Sequence, residues 1–478
     1  MPQKTSSDAR FSVLILAAGK ATRFRSEHTK VLHVLAGRLL GDYVLDTALG
    51  SKPECAWMVV GHEAERVRAT FARSGLGFIT QRQQQGTGDA VMAARAEIEK
   101  CASPALLVLV GDAPLLTAKT LQALTQSRAD SGSAAVALTT RLGKPAGYGR
   151  IVRGPGGRIR SIIEEKDCTP TQKRIREVSS GILCFDREAL LEHLDELTDT
   201  NAQKEYLLSD LVRIFNRRRL KVTAFPVAES REVLGVNDRV ELARVERVIR
   251  RRKAEELMRG GVTIVDHRTT VIDDAVQVGR DSRVEPGAHL LGNTRLGREC
   301  VVRPYALITD SSLGDRVTVH SFSVVSGSEV AAGASIGPFA HLRPGAVIGS
   351  EAHIGNYVEV KNSRIGAGTK ANHLTYLGDA RVGERVNVGA GVITCNYDGE
   401  KKHPTTIEDS VFVGSGSMLV APIRIGRGAY VAAGSTLTEN VPDESLALGR
   451  ARQVNKVGWA REKRKRKKAE GAAGGRSE

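Results

Sequence analysis

From Val278 onward an aliphatic residue returns at every sixth position, and no other feature of the chain constrains its fold as tightly. The series runs Val278, Val284, Leu290, Leu296, Val302 and Ile308, steps by five to Leu313, and continues through Val319 and Val325. It goes on at Val330, Ile336, Leu342, Ile348, Ile354 and Val360, then Ile365, Ala371 and Leu377, then Val382 and Val388. After an interruption it resumes at Val413, Leu419, Ile425, Val431 and Leu437. Glycine follows the aliphatic residue repeatedly, as at Gly279, Gly297, Gly349 and Gly426. A helix repeats at about 3.6 residues and a half-buried strand at about 2, so neither sustains a period of six. A hexapeptide parallel β-helix does, with the aliphatic side chain pointing inward on each face and small residues at the corners. Three faces per coil take about 18 residues, so residues 278–437 supply roughly nine coils, a prism about 40 Å tall at ~4.8 Å per coil. Its ends need capping, and flat stacked faces favour assembly side by side.

The 478 residues leave room for a second domain ahead of the prism. Up to about Phe225 short apolar runs alternate with helical stretches. Ser12–Leu16, Ala56–Val60, Leu106–Val110 and Ala134–Leu138 read as strands, with Glu63–Ala72, Asp89–Lys100 and Thr117–Ser127 as helices between them. That alternation predicts a mostly parallel, doubly wound α/β sheet, whose ligands bind at the carboxyl ends of the strands. A charged segment without Gly or Pro, Asp238–Met258, reads as a connecting helix ending at Gly260–Gly261. The expected organisation is an α/β domain over 1–237, a linker helix over 238–261, an all-β prism over 262–460 and a basic disordered tail over 461–478.

Charge and cysteine usage narrow the function. The net charge is +16 and the pI about 9.7. Much of the basic excess lies in "RVERVIRRRK" (Arg244–Lys253) and "REKRKRKK" (Arg461–Lys468), where no aromatic residues interleave as single-strand binding would want. No specific nucleic-acid partner is expected, and the charge suits the steering of anionic small substrates. Cys55, Cys101, Cys168, Cys184, Cys300 and Cys395 are widely spaced with no C-x-x-C pair. A disulfide framework or zinc site is not expected, and a reducing cytoplasm is the simple inference. "MPQKTSSDAR" lacks an apolar export core, and no run approaches membrane-spanning length.

The chemistry begins at "SVLILAAGKATRFRSEHTKVLH" (Ser12–His33). Small residues Ala17, Ala18 and Gly19 follow the first strand, and Lys20, Arg23, Arg25 and Lys30 come next. Backbone N–H groups and clustered cations there suit phosphates, although the spacing matches neither G-x-G-x-x-G nor G-x-x-x-x-G-K-[ST]. Asp112 ends a strand in "LLVLVGDAPLL", where a carboxylate beside a phosphate loop suits Mg²⁺. "QRQQQGTGDA" (Gln81–Ala90) places amides before Gly86, Thr87 and Gly88. Amides suit the hydrogen-bonding edge of a base, and a polar helix-start loop is the other reading. "AGYGR", "IIEEKD" and "GVND" are polar interruptions at strand ends.

Together "LAAGKATRF", "KVLH", "QGTGDA", "GDAPL", "GYGRI", "EEKD" and "EVLGVND" resemble the pyrophosphorylase half of the GlmU family. That family joins N-acetylglucosamine-1-phosphate uridylyltransferase to glucosamine-1-phosphate N-acetyltransferase. The resemblance spans almost the whole chain except the first dozen residues and the tail. It implies that Leu16, Ala17, Ala18, Gly19 and Lys30 contact UTP, with Arg23 and Lys30 on phosphates, and that Gln81, Gly86 and Thr87 hold uracil. Val110 and Gly111 would line the same site, and Gly149, Glu164 and Ser179 would face the sugar. Asp112 and Asn237 would ligate Mg²⁺. Four positions depart from the family pattern. Ala21 replaces a loop glycine, so a positive φ there would be strained. Thr29 stands where proline precedes the lysine, Val110 at a usual tyrosine, and Ser179 at a usual asparagine.

In the second half the six-residue rhythm loosens around "KNSRIGAGTKANHLTYLGDA" (Lys361–Ala380), which carries His373. Counting coils puts His373 near Arg343, Lys361, Asn396 and Tyr397. "HLRPGA", "NYVEVKNS", "NHLTYLGD" and "ITCNYDG" resemble the acetyltransferase half of the same family. The resemblance implies a left-handed β-helix in which His373 is the general base. Arg343 and Lys361 would hold the sugar phosphate, with Tyr376 and Asn387 beside the sugar. Ala390, Asn396, Tyr397, Ser415, Ala433 and Arg450 would line the acetyl-CoA path. An amine must lose a proton before it attacks a thioester, and an imidazole titrating near neutrality can take it.

The implied protein is a cytoplasmic homotrimer that makes UDP-N-acetylglucosamine for peptidoglycan and lipopolysaccharide from glucosamine-1-phosphate, acetyl-CoA and UTP. Two other readings are a nucleotidyltransferase whose prism only assembles or regulates, as in ADP-glucose pyrophosphorylases, and a non-catalytic exchange-factor subunit. His373 within "NHLTYLGD" disfavours the first, and Asp112, Asn237 and the Lys30 region disfavour the second.

Overall fold

The structure is a computed structural model that describes residues 9–473. Most of the segment read above as lacking an export core, and tail residues 474–478, lie outside the described residues. The chain divides into two compact units: Met1–Arg259 with Val271–Val276, and Gly260–Thr270 with Gln277–Glu478.

The first unit is built on a twisted sheet. Its strands are β1 (Ser12–Leu16), β2 (Ala56–Val60), β3 (Leu76–Thr80), β4 (Ala105–Val110), β5 (Ala135–Arg141), β6 (Arg150–Arg153), β7 (Ile159–Ile163), β8 (Glu177–Asp186) and β9 (Val222–Pro226). The main order is β9-β5-β8-β4-β1-β2-β3, and β6 joins β7 to β8. β1 pairs in parallel with both β2 and β4, while β8 runs antiparallel between β4 and β5. Strands buried on both sides are predominantly apolar, which is why β4 reads as an unbroken aliphatic run and β1 as one from Val13 onward. Alternate side chains serve opposite faces: Leu14, Leu106 and Val108 join one core cluster, and Val13, Ile15, Leu107 and Leu109 the other. Chain order reverses beside β1, between β4 and β2, and a ligand crevice is expected at that switch point.

The helices are α1 (Leu40–Gly50), α2 (Ala64–Phe71), α3 (Thr87–Ala93), α4 (Arg95–Lys100), α5 (Ala118–Ser131), α6 (Arg187–His193), α7 (Asp210–Arg217) and α8 (Arg239–Arg259). The single helix expected over Asp89–Lys100 is two, broken at Ala94 (φ −91°, ψ −5°). α8 opens on Asp238, whose carboxylate accepts from the Glu241 N–H at 2.8 Å, a side-chain cap of the usual kind. Its Val245 and Ile249 are buried with Phe24, Leu35, Leu40 and Leu115.

One sequence expectation is corrected here. Cys55 and Cys101, 46 residues apart, form a disulfide with Cα atoms 6.8 Å apart. Cys55 precedes β2 and Cys101 lies four residues before β4, and both strands flank β1 in parallel, so their leading ends lie together. Spacing along the chain carries no trace of that proximity. Cys168, Cys184 and Cys300 are buried free thiols, and Cys395 is a half-buried one.

The second unit is the coiled prism that the period of six predicts. Its strands form parallel ladders in which each residue pairs with one about a coil later, as in Val284↔Val302, Val302↔Val319 and Ile336↔Ile354. Val284, Val302, Val319, Ile336, Ile354, Ala371, Val388, Val413 and Val431 stack inward on the first sheet. The interruption between Val388 and Val413 hides two further inward positions, Thr394 and Ile407, separated by a loop. Thr394 escaped the pattern because it is polar. Its hydroxyl accepts from the Gly378 N–H at 2.8 Å and lies 3.1 Å from the Gly378 carbonyl, which satisfies it inside the core.

The corners are not all small. Tyr305, Phe322, Phe339 and Tyr357 each take a positive φ of 56–61° at one corner. Their rings stack in an exposed ladder with centroids 5.2–5.3 Å apart. A left-handed corner residue points outward, and the coil spacing of ~4.8 Å is that of stacked rings. A second difference lies at the C-terminus. Residues 461–473 of the tail expected to be disordered belong to a helix, α9 (Trp459–Ala473), with exposed side chains through Glu470.

Candidate active sites

In the first unit, β1 runs out at Leu16 and the Ala17 N–H is taken by the Val59 carbonyl at 2.9 Å. The loop then turns over Ala21 at φ 53°, ψ 41°, the left-handed conformation in which an alanine is strained. A Cβ on Gly19 would meet nothing within 4 Å, so its smallness leaves open space beside the backbone. Gly111 has the opposite reason: a Cβ there would lie 2.9 Å from the Leu16 carbonyl oxygen.

Leu16, Ala17, Ala18, Gly19, Lys30, Gln81, Gly86, Thr87, Val110, Gly111 and Asp112 line one cavity of about 580 Å³. An adjoining cavity of about 180 Å³ is lined by Asp112, Gly149, Glu164, Ser179 and Asn237. The two share Leu16, Thr87, Val110 and Asp112, so the sequence-predicted nucleotide and sugar residues meet at the end of β4. Arg23 reaches in from outside the lining and donates to Asn237 Oδ1 at 2.7 Å.

Gln81 is buried, and its amide nitrogen donates to the Gly86 carbonyl at 3.0 Å and to Asp89 at 2.6 Å. The loop that follows is clamped to residues 205–208: Tyr206 N–H donates to Gln85 O at 2.7 Å, Gly88 N–H to Tyr206 O at 2.7 Å, and Leu208 N–H to the Thr87 hydroxyl at 3.0 Å. Burial pushes the Glu164 carboxyl up, against a 3.3 Å hydrogen bond from Ser209. Ser179 N–H donates to the Gly149 carbonyl at 2.8 Å. Tyr148 and Ser209, given no role above, also line the sugar-side cavity. Tyr148 stands inside the quoted "GYGRI"; nothing in the sequence marked Ser209.

The Lys30 ammonium donates to Asp112 Oδ2 at 2.6 Å and to Asn237 Oδ1 at 3.0 Å. Both oxygens therefore lie within reach of one cation. One carboxylate and one amide oxygen are hard donors of the number Mg²⁺ takes from a protein when phosphates and water supply the rest. Among the described residues no group of three or more His, Cys, Asp or Glu could hold a metal. The residues fit an ion that arrives with a nucleotide.

In the second unit the ladder stacks Asn356, His373, Ala390, Ser415 and Ala433 in one column, each a coil beyond the last. The carbonyls of His373, Ala390 and Ser415 accept from the N–H groups of Gly391, Gly416 and Gly434 at 3.3, 2.8 and 2.8 Å. Below an exposed imidazole, three small residues leave an open track along one corner. His373 Nδ1 lies 2.7 Å from Asn356 Oδ1. An amide oxygen can only accept, so Nδ1 carries a proton, and in the neutral imidazole the lone pair is on Nε2. Asn356 was given no role above, although it opens the quoted "NYVEVKNS".

Arg343, Lys361, Asn396 and Tyr397 are not beside His373 as the coil count predicts. They lie at the next corner, at the far end of the second ladder of strands, to which Tyr376–Gly378 and Ile393–Cys395 belong. There Asn396 and Asn362 both donate to Asp379 at 2.6 Å, and Arg343 donates to Glu359 at 2.9 Å. The neighbouring Lys402 ammonium pulls the Lys361 amine below its ordinary value, which suits an anionic group between them. Asn387 is one strand along from Lys370 on the first sheet, and Arg450 follows the last coil, where Thr436 N–H donates to the Gly449 carbonyl at 3.0 Å.

An anion cradle with hard oxygen donors at the switch point of an α/β sheet, followed by a hexapeptide prism with an oriented imidazole, defines a nucleotidyltransferase joined to an acyltransferase. The comparisons agree. Residues 13–214 match the MobA-like NTP transferase domain, residues 270–366 the GMPPB C-terminal domain, and residues 404–439 the bacterial transferase hexapeptide repeats. The chain is 46% identical over 467 residues to the bifunctional protein GlmU of Koribacter versatilis, covering 97% of this chain and 99% of that one. It is 50% identical over 473 residues to that of an Anaeromyxobacter species (98% and 96%), and 47% over 454 residues to that of Trichlorobacter lovleyi (95% and 98%). The chain belongs to the bifunctional GlmU family, and it is an enzyme with a nucleotidyltransferase and an acetyltransferase half.

Proposed function

We propose that the prism transfers acetyl from acetyl-CoA to glucosamine-1-phosphate, and that the α/β unit then couples N-acetylglucosamine-1-phosphate to UTP, releasing pyrophosphate and UDP-N-acetylglucosamine. The observation that carries the second step is the meeting of Lys30, Arg23, Asp112 and Asn237 at the end of β4. The sugar phosphate is already an anionic nucleophile, so the site needs no base. Its work is to align that oxygen with the α-phosphate and to offset charge as pyrophosphate leaves. Lys30 and Arg23 hold the phosphates, Gln81, Gly86 and Thr87 hold the base, and Gly149, Glu164 and Ser179 face the sugar. Asp112 and Asn237 hold Mg²⁺, which supplies Lewis-acid neutralisation of phosphate charge when bound.

In the prism, His373 Nε2 accepts the ammonium proton of the amino sugar, and Asn356 fixes the tautomer that makes this possible. Arg343 and Lys361 bind the sugar phosphate, with Tyr376 and Asn387 beside the sugar. Ala390, Ser415 and Ala433 leave the track for acetyl-CoA, Arg450 follows the last coil, and Asn396 and Tyr397, one corner away, would line the track of a neighbouring copy. A trimer is part of this proposal. The base and the phosphate-binding cations occupy different corners of one prism, and a neighbouring copy would complete each pocket. The proposed domain boundaries are those given above. Cytoplasmic placement follows from acetyl-CoA and UTP as substrates, and no helix among the described residues is long and apolar enough to cross a membrane.

The test supplies glucosamine-1-phosphate, acetyl-CoA, UTP and Mg²⁺ to the purified protein and looks for the sugar nucleotide. Its formation, with dependence on all four, is the expected result. Consumption of UTP with no need for acetyl-CoA would reject the coupled reading.

A further inference from the structure

The backbone just ahead of Lys30 is fastened by contacts that the catalytic reading does not use. Thr29 is buried, with φ −61° and ψ 150°. Its N–H donates to Glu63 Oε2 at 2.6 Å, and its hydroxyl to the Gly19 carbonyl at 3.4 Å. Glu63, itself in the left-handed conformation at the start of α2, takes the Arg66 guanidinium on Oε1 at 3.0 Å, and His28 Nδ1 lies 3.2 Å from the same oxygen. His62 Nε2 lies 2.9 Å from the Glu27 carbonyl. Three successive residues, Glu27, His28 and Thr29, are thus tied to the corner between β2 and α2.

A φ of −61° is the value a proline ring imposes. Thr29 has no ring, so its φ is free to vary over the extended region unless a contact fixes it. An N–H bound to a carboxylate can, because a charge-assisted hydrogen bond is about twice as strong as a neutral one. Burial would raise the Glu63 carboxyl, but the bonds from Thr29, His28 and Arg66 outweigh it and keep the group below the usual carboxylate range. The carboxylate is therefore ionised and able to act as the clamp.

We infer that Glu63 is a positioning residue for uridylyl transfer: by binding the Thr29 N–H it holds residue 29 at a proline-like dihedral, and so aims Lys30 and draws the Gly19 turn onto the triphosphate. This rests on the reading that the loop cradles UTP. Glu63 touches no substrate and acts through Thr29.

A double-mutant cycle on the full-length protein tests it, with KM for UTP and kcat read from pyrophosphate release. Glu63→Ala is expected to raise KM for UTP about fivefold or more, with kcat within about twofold. Glu63→Gln, which keeps an acceptor oxygen but loses the charge, is expected to raise KM by only about two- to threefold, between the parent and Glu63→Ala. Thr29→Pro holds the dihedral without the N–H, so Thr29→Pro with Glu63→Ala is expected to match Thr29→Pro alone. An unchanged KM in Glu63→Ala overturns the inference, as does an equal loss on the proline background. If Glu63→Ala does not fold, a folded double variant with parental KM supports the clamp and an unfolded one overturns it. Lys30→Ala separates the two readings. If it retains parental activity, the phosphate-cradle reading fails; if it is inactive while Glu63→Ala is silent, the clamp alone fails.

Discussion

Gly86 offers the sharpest test of how the nucleotide cleft is built. It sits at φ 112°, outside the regions open to residues with a side chain, and an added Cβ would lie 2.5 Å from the Tyr206 carbonyl oxygen. In Gly86→Ala the backbone strain costs about 1–3 kcal/mol. Tyr206 must also retreat, and its carbonyl is the acceptor for the Gly88 N–H at 2.7 Å. Losing that bond adds about 1 kcal/mol. A total of about 3 kcal/mol, expressed as misplacement of the clamped loop, corresponds to a fall of roughly two orders of magnitude in kcat/KM for UTP. Acetyl transfer, carried by the other unit, is expected to stay within about twofold. Gly132→Ala is the control: its φ is 59°, nothing lies within 4 Å of an added Cβ, and it ends α5 away from the cleft. It should cost about 1 kcal/mol of stability with KM unchanged. The assay follows pyrophosphate and CoA release separately. A Gly86→Ala enzyme whose kcat/KM for UTP stays within about threefold of the parent would refute the reasoning, because the loop would then be free to adapt.

Three further outcomes are expected. His373→Ala should abolish CoA release while sparing pyrophosphate release, and Asp112→Ala should do the reverse; loss of both activities in either folded variant rejects separate sites. Ala21→Gly relieves about 1–2 kcal/mol of left-handed strain but gains unfolded-chain entropy worth about 0.4–1 kcal/mol, so thermal unfolding should shift little and uridylyl transfer by less than about tenfold. Burial raises the Glu164 carboxyl, so the folded state keeps its proton to higher pH than the unfolded chain. The associated stability is fully present below about pH 4.3 and is lost as pH rises through the raised value. In thermal melts Glu164→Gln should therefore gain on the parent with rising pH while losing sugar turnover; a parallel pH dependence in the two proteins would show the carboxyl is not desolvated.

Much of the fold was legible because its determinants are local. The buried strands β1 and β4 announce themselves as aliphatic runs, and each coil of the prism repeats the same demand for an inward aliphatic side chain. Thr394 was missed for the same reason: it meets that demand with a hydroxyl satisfied across the ladder at Gly378, which a hydropathy pattern cannot register. The strain at Ala21 was readable from one substitution in a quoted motif, and the left-handed φ is there. The corner aromatics were not readable as a ladder, because Tyr305, Phe322, Phe339 and Tyr357 stand 17 or 18 residues apart and meet through coil stacking.

The sequence by itself determined the two architectures and the side chains that could do the chemistry, since periodicity and motif act over one turn, strand or loop. Tertiary structure decided which of those side chains meet. It brought Asp112 and Asn237 under one ammonium, paired Cys55 with Cys101, oriented His373 through Asn356, and put Arg343 and Lys361 one corner away from that imidazole. Such contacts depend on strand order and on the number of residues in each coil, and a chain read in one dimension leaves the closing of those distances open.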